Sequence, residues 1–133
     1  MGCKALIYVQ NTNSATYGIG STIPFGSVVR RFGQNLDLSG NGILAAGRGY
    51  YKGDVSVTLA PVAAGTVSVT LMKDGVAVPG ATASATTDAA GVTCLSFPFV
   101  IREQCCDSSC LLTLQLGGAQ SVLYNVSAAV ERM

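Results

Sequence analysis

The chain has 133 residues, 49% of them hydrophobic and only 11% charged, against roughly 25% charged in ordinary soluble domains. Eight basic and seven acidic side chains leave a net charge of +1, which excludes both the concentrated basic face of a nucleic-acid binder and the charge-rich composition of a disordered chain. The mean hydropathy of +0.44 does not amount to membrane insertion, because Ser, Thr or Gly interrupts every apolar run short of the ~18 residues a spanning helix needs.

In chain order, Met1 to Val9 carries an apolar stretch too short for a secretion signal and no small-residue cleavage site. Leu6 stands where N-myristoylation requires Ser or Thr. The chain therefore reads as made in a host cytoplasm without a Sec-type signal. Residues 5–10 read as a first strand, followed by a polar, glycine-bearing segment from Gln10 to Ser21. That segment is expected to be a surface loop, or an arm that docks on a neighbouring subunit. Residues 1–22 thus form a strand and polar arm, and 23–133 the body of what is one domain overall.

Further strands are expected at about 27–33, 43–46, 49–59, 66–73, 76–85, 92–101, 111–116 and 121–131, eight or nine in all. The signal is period-2 alternation, because successive side chains of a strand point to opposite faces of its sheet. Val55, Val57 and Leu59 alternate with Ser56 and Thr58, and Val67, Val69 and Leu71 with Ser68 and Thr70. Leu112, Leu114 and Leu116 share a face, and so, by parity, do Val122, Tyr124, Val126, Ala128 and Val130. Asp74-Gly75 between two apolar arms predicts a two-residue type I′ hairpin. Pro79-Gly80 is expected to end the second arm. Pro98 falls opposite in parity to Leu95, Phe97, Phe99 and Ile101, which predicts an edge strand or a bulge there. Many short strands at close spacing predict an all-β jelly-roll sandwich.

Catalysis finds little to work with. Without histidine, the Ser/His and Cys/His arrangements of nucleophilic enzymes cannot be built. The carboxylates are scattered, and Asp74 reads as a turn former. Gly18-Ile-Gly20 and Gly47-Arg-Gly49 lack the strand-to-helix context of a phosphate loop. No enzyme activity and no cofactor are expected. Arg30-Arg31, the one adjacent basic pair, splits across the two faces of a strand and reads as a solvated edge.

Of five cysteines, Cys105, Cys106 and Cys110 crowd together. One Cys-x₃-Cys pair with no second pair and no His is a poor zinc set, so no metal is expected. These thiols form a local disulfide, link subunits, or stay reduced in a strand-connecting loop, and the odd total leaves at least one unpaired within the chain.

The chain carries more apolar side chains than one small core needs, and few charges to solvate the rest. Surplus apolar surface on such a domain marks an interface, and a closed symmetric homo-oligomer conceals it.

Three stretches, Ile23-Pro24-Phe25-Gly26-Ser27-Val28, Gly49-Tyr50-Tyr51-Lys52 and Val69 through Asp74-Gly75 to Pro79-Gly80, resemble the C-terminal globular domain of bacterial collagen-like exosporium glycoproteins. That domain belongs to the trimeric jelly-roll group of tumour necrosis factor and the complement globular head. The resemblance runs, with gaps, from about Ile23 to Val130. It lacks a preceding Gly-X-Y stalk, and this chain has more cysteine than the family's usual content. The chain is also similar to small phage head-decoration and head-fibre proteins. The resemblance implies a TNF-like homotrimer with Tyr51, Val55, Val57 and Leu59 in the inner sheet and trimer core. It further implies a virion-surface protein that decorates or stabilises a capsid and aids adhesion. Its partners would be its own copies, the major capsid protein or another particle-surface protein, and a host-surface glycan. A spore- or cell-surface trimer, or a carbohydrate- or receptor-binding module with Tyr17 as its loop aromatic, is the alternative.

Overall fold

A computed structural model describes residues 5–47, 49–88, 91–103 and 109–132. Two antiparallel sheets face each other. The first runs in the order β10 (Thr93–Glu103), β7 (Gly49–Pro61), β12 (Ser121–Arg132), β1 (Ala5–Asn11) and β4 (Ser27–Phe32), with β2 (Ala15–Tyr17) paired to β12. The second runs β5 (Leu36–Ser39), β6 (Gly42–Ala46), β11 (Ser109–Gly117), β8 (Gly65–Lys73) and β9 (Val76–Thr87), with β3 (Thr22–Ile23) paired to β11. Each expected strand is present. Three short ones, β2, β3 and β5, are additional.

Alternation decides what enters the space between the sheets. Val55, Val57 and Leu59 of β7 meet Val67, Val69 and Leu71 of β8 and Leu112, Leu114 and Leu116 of β11 in one core, each at most 1% exposed. Full burial of each such side chain is worth about 1.5–3 kcal/mol, so a one-residue slip of any of these strands would forfeit several of them at once. Ile23 and Phe25, either side of Pro24, are also fully buried, and they carry the chain from β3 of the second sheet back to β4 of the first. Just beyond, Gly26 has φ +89° and passes so close to β1 that a Cβ would lie 2.2 Å from the Gln10 carbonyl oxygen.

Three local expectations change. The segment from Gln10 to Ser21 docks on its own chain: Ala15–Tyr17 pairs with Leu123 to Ser121 of β12. In β12 the buried parity does not run through. Leu123 pairs with Leu59 and Asn125 with Thr58, leaving Tyr124 as an extra bulged residue. Leu123 is consequently buried while Tyr124 is exposed, and Val126, Ala128 and Val130 resume the inward face. Finally, Pro79-Gly80 does not end β9. The pairing jumps from Thr70–Thr82 to Met72–Ala77, so the two residues sit inside a bulge where Gly80 takes φ +78°, and the strand continues. An outermost strand tolerates the missing proline N–H. The same reason admits Pro98, which lies opposite Asp54 on the outermost strand β10.

The hairpin at Asp74-Gly75 has the expected left-handed pair, φ 51° and 83°. Asp74 also reaches across to the next strand. Its carboxylate accepts from the Leu111 N–H at 2.8 Å while its own N–H donates to the Leu111 carbonyl at 3.0 Å. On the outward face of this hairpin, Thr66–Thr86 and Thr70–Thr82 hydroxyl pairs at 2.9 and 3.0 Å span the strands.

Tyr51 closes one end of the core. Its ring is fully buried, and its hydroxyl lies 2.7 Å from the Ala46 carbonyl and 2.9 Å from that of Gly47, to which it donates. Asn35 joins the same turn, donating from its amide to the Ala46 carbonyl at 2.8 Å. Burial pushes the Tyr51 phenol above its ordinary pKa, and nearby Arg132 offsets part of the rise.

Gly75→Ala is expected to cost about 1–2 kcal/mol, the penalty of a left-handed non-glycine residue, read as a lower urea midpoint at unchanged slope. Because a raised phenol pKa favours the protonated folded form, the contribution of Tyr51 is complete below about pH 10 and is lost as pH climbs through the higher folded value. Tyr51→Phe should lose about 1 kcal/mol at neutral pH, and above about pH 10 its stability should fall less steeply than that of the parent.

Candidate assembly surface

Side chains that do not enter the core must face outward, and on the first sheet they form one continuous surface. From β7 come Tyr50, Lys52, Asp54 and Ser56, and from β12 Ser127, Ala129 and Glu131. β1 adds Leu6 and Tyr8, and β10 adds Ser96, Pro98, Val100 and Arg102. The middle of this face is floored by small side chains. One depression of about 390 Å³ is lined by Tyr8, Asp54, Ser56, Ser96, Pro98, Ser127 and Ala129 among others. A second, of about 420 Å³, shares Asp54, Pro98 and Ala129 with it and extends past Leu6, Val100 and Glu131. Together they make a shallow trough across the strands rather than a closed pocket.

The trough is built by composition. On the inward parity of β7, Gly53 stands where no side chain fits, since a Cβ would lie 2.3 Å from the Ala129 carbonyl oxygen and 2.9 Å from the Phe99 ring. The rims are apolar and exposed, with Val100 at 60% and Phe32 at 53%. Charges along the face are few. Lys52 and Glu131 pair at 3.2 Å with both side chains half-exposed, and such a pair contributes at most about 1 kcal/mol. The Arg102 guanidinium lies 5.8 Å from the Tyr50 ring centroid. Asp54 forms no ion pair among the described residues. The Ser56 hydroxyl sits 3.3 Å from the Cys94 thiol. Such a face can bind by shape and apolar contact.

Tyr51, Val55, Val57 and Leu59 all lie on β7 in the first sheet, but at 0–1% exposure they are consumed by the core of a single chain. They have no surface left for a second copy, and the outward parity of the same strand is that of Tyr50, Lys52, Asp54 and Ser56. Cys105 and Cys106 lie outside the described residues, and so does any disulfide involving them. Cys110 is 1% exposed on β11, opposite Ala45 of β6, where a thiol is shielded from solvent reagents. Tyr17 packs against the core instead of standing out from a loop, which removes the aromatic platform of the carbohydrate-binding alternative.

Ser127 and Ala129 escaped notice in the sequence because they carry no chemistry, and Pro98 was read there only as a mark of an edge or a bulge. The signal for all three was their parity, opposite to that of the buried residues. Among the described residues, no three of Cys, Asp and Glu gather into a group able to hold a metal ion, and no helix is long and apolar enough to cross a membrane.

No protein-family model matches the chain, and no curated protein matches it by sequence. Solved structures do match by shape. Murine APRIL superposes with a TM-score of 0.68 at 11% identity, over 98% of this chain and all of that one. The globular domain of zebrafish complement 1qA gives 0.63 at 8% identity, over 93% and 94% of the two chains. The vertex protein P5 of PRD1 gives 0.54 at 12% identity, over 96% of this chain and 72% of that one. Identities so low establish architecture alone, and with the strand order above they show that this chain is an all-β jelly-roll sandwich of the tumour necrosis factor and complement globular-head type.

Proposed function

We propose that this chain is a non-enzymatic structural protein that assembles as a homotrimer on the surface of a virion, where it seats on the major capsid protein or another particle-surface protein and stabilises or decorates the particle. The observation that carries the reading is the outward face of the first sheet. It pairs a trough floored by Ser56, Ser127 and Ala129 with exposed apolar rims, on a chain in which only 11% of residues are charged. Apolar surface of this kind is costly in water and is relieved by burial against another copy. The trough and the rims are different patches, so one copy offers its rim to the next copy's trough. Contacts of that heterologous type close into rings.

The particle assignment draws on the shape likeness to a vertex protein and on the resemblance to phage head-decoration proteins. The same trimer would serve on a spore surface, which the order of the Ile23-Pro24-Phe25, Gly49-Tyr50-Tyr51 and Asp74-Gly75 motifs favours as the second reading.

Static light scattering of the purified chain is expected to give three times 13.5 kDa, about 40 kDa, with and without reductant. A monomer would overturn the reading. Ala129→Glu, which fills the trough floor with a second carboxylate directly opposite Asp54, an unpaired charge costing several kcal/mol to bury, should return the mass to 13.5 kDa while leaving the far-UV spectrum of a β-sandwich. Proteomics of gradient-purified particles against spore-coat extracts from the same source then separates the two readings, since each requires the chain in one fraction and not in the other.

A further inference from the structure

Strand β4 carries a bulge that decides which of its side chains reach the outward face of the first sheet. It pairs with β1 as Ser27–Gln10 and Val28–Val9, then as Arg30–Tyr8, Arg31–Ile7 and Phe32–Leu6, so Val29 has no partner. In an unbroken strand Val28, Arg30 and Phe32 would all point the same way. One extra residue reverses the parity beyond it. Val28 therefore shares the side of Val9, which is buried in the core, whereas Arg30 and Phe32 share the side of Tyr8 and Leu6, which line the trough.

The same registers line up one row across the sheet. Pro98 of β10 stands opposite Asp54 of β7, Asp54 opposite Ala129 of β12, Ala129 opposite Tyr8 of β1, and Tyr8 opposite Arg30 of β4. An acid and a cation thus share one outward row, about 14 Å apart at the usual strand spacing, with Tyr8 between them. Neither has a partner: among the described residues Arg30 and Asp54 form no ion pair and no side-chain hydrogen bond. The other charges of the face are engaged, Lys52 with Glu131 at 3.2 Å and Arg102 with the Tyr50 ring. Arg31, on the opposite parity of β4, turns to the second sheet and donates to the Leu36 carbonyl at 2.6 Å.

Asp54 lines both depressions of the trough. An arginine arriving from another copy can lay its aliphatic stem on Ala129 and Pro98 and reach the Asp54 carboxylate with its guanidinium. Phe32 projects from the same side of β4 as Arg30, about 7 Å further along, which suits the adjoining depression lined by Leu6 and Val100. A charge enclosed in such a contact is tolerated where an opposite charge meets it. We infer that Arg30 of one copy enters the trough of the next and pairs with its Asp54, with Phe32 alongside, and that this ion pair sets the register between copies. The inference rests on the reading of this face as the contact between copies. Each copy gives one arginine and receives one, as a head-to-tail contact requires.

The test is charge exchange, read by light scattering over a dilution series. Both positions are exposed, so Arg30→Glu and Asp54→Arg should each leave the far-UV spectrum as it was. Each sets like charges face to face and should raise the concentration at which the trimer half-dissociates by about ten-fold or more. The double variant restores an opposite pair and should return that concentration to within about three-fold of the parent. A single variant as fully trimeric as the parent on dilution would overturn the inference. So would a double variant no better associated than the single ones, or rescue of Asp54→Arg by Arg102→Glu in place of Arg30→Glu. A parent that is itself monomeric overturns the reading of the face and this pairing with it, so the parent mass alone tells the two failures apart.

Discussion

The paired strands β7 and β12 lie at the heart of the first sheet, and the period of two along them governs everything else. They run side by side from Ser121–Pro61 to Arg132–Tyr51. Residues of one parity fill the space between the sheets, and residues of the other form the outward face. Neither set can change without the other, since a shift of one position exchanges them wholesale. The bulge at Tyr124 is the adjustment that makes this tolerable. One extra residue lets Leu123 join the core at one end of β12 while Val126, Ala128 and Val130 join it at the other.

That constraint also explains why the outward face looks as it does. Large β-branched and aromatic residues are spent inward, where each gains from burial. Small ones are left outward at Ser56, Ser127 and Ala129, and the trough is the space between them and the larger side chains on either side. On the inward parity Gly53 stands where β12 and the Phe99 ring leave no room for a side chain. A trough made this way binds by excluding water from a broad area.

Both margins of the first sheet are tied to the second. At β10 the margin lies close to β9, and Lys73 of β8 donates to the Arg102 carbonyl at 2.9 Å. At β4 Arg31 makes the corresponding tie, donating to the Leu36 carbonyl of β5 at 2.6 Å and lying 3.6 Å from Asp37, although the side chains of the strand stay exposed.

Alternation in residues 55–59, 67–71 and 112–116 and the Asp74-Gly75 turn make the sandwich legible in the sequence alone, because both are local consequences of backbone geometry and need no knowledge of what lies across the chain. The short strands β2, β3 and β5 are not legible there, since two to four residues carry no measurable period and form only because β12, β11 and β6 present free edges to them. The bulges at Tyr124 and at Pro79-Gly80 are hidden for the same reason, being set by the register of a partner strand. Parity marks Tyr51, Val55, Val57 and Leu59 as buried but does not say against what. Apolar residues carry the same pattern whether they meet a second sheet of their own chain or another copy, and only the tertiary structure, by enclosing those four within one chain, decides that they meet the second sheet and that the opposite face of β7 is the one left outside.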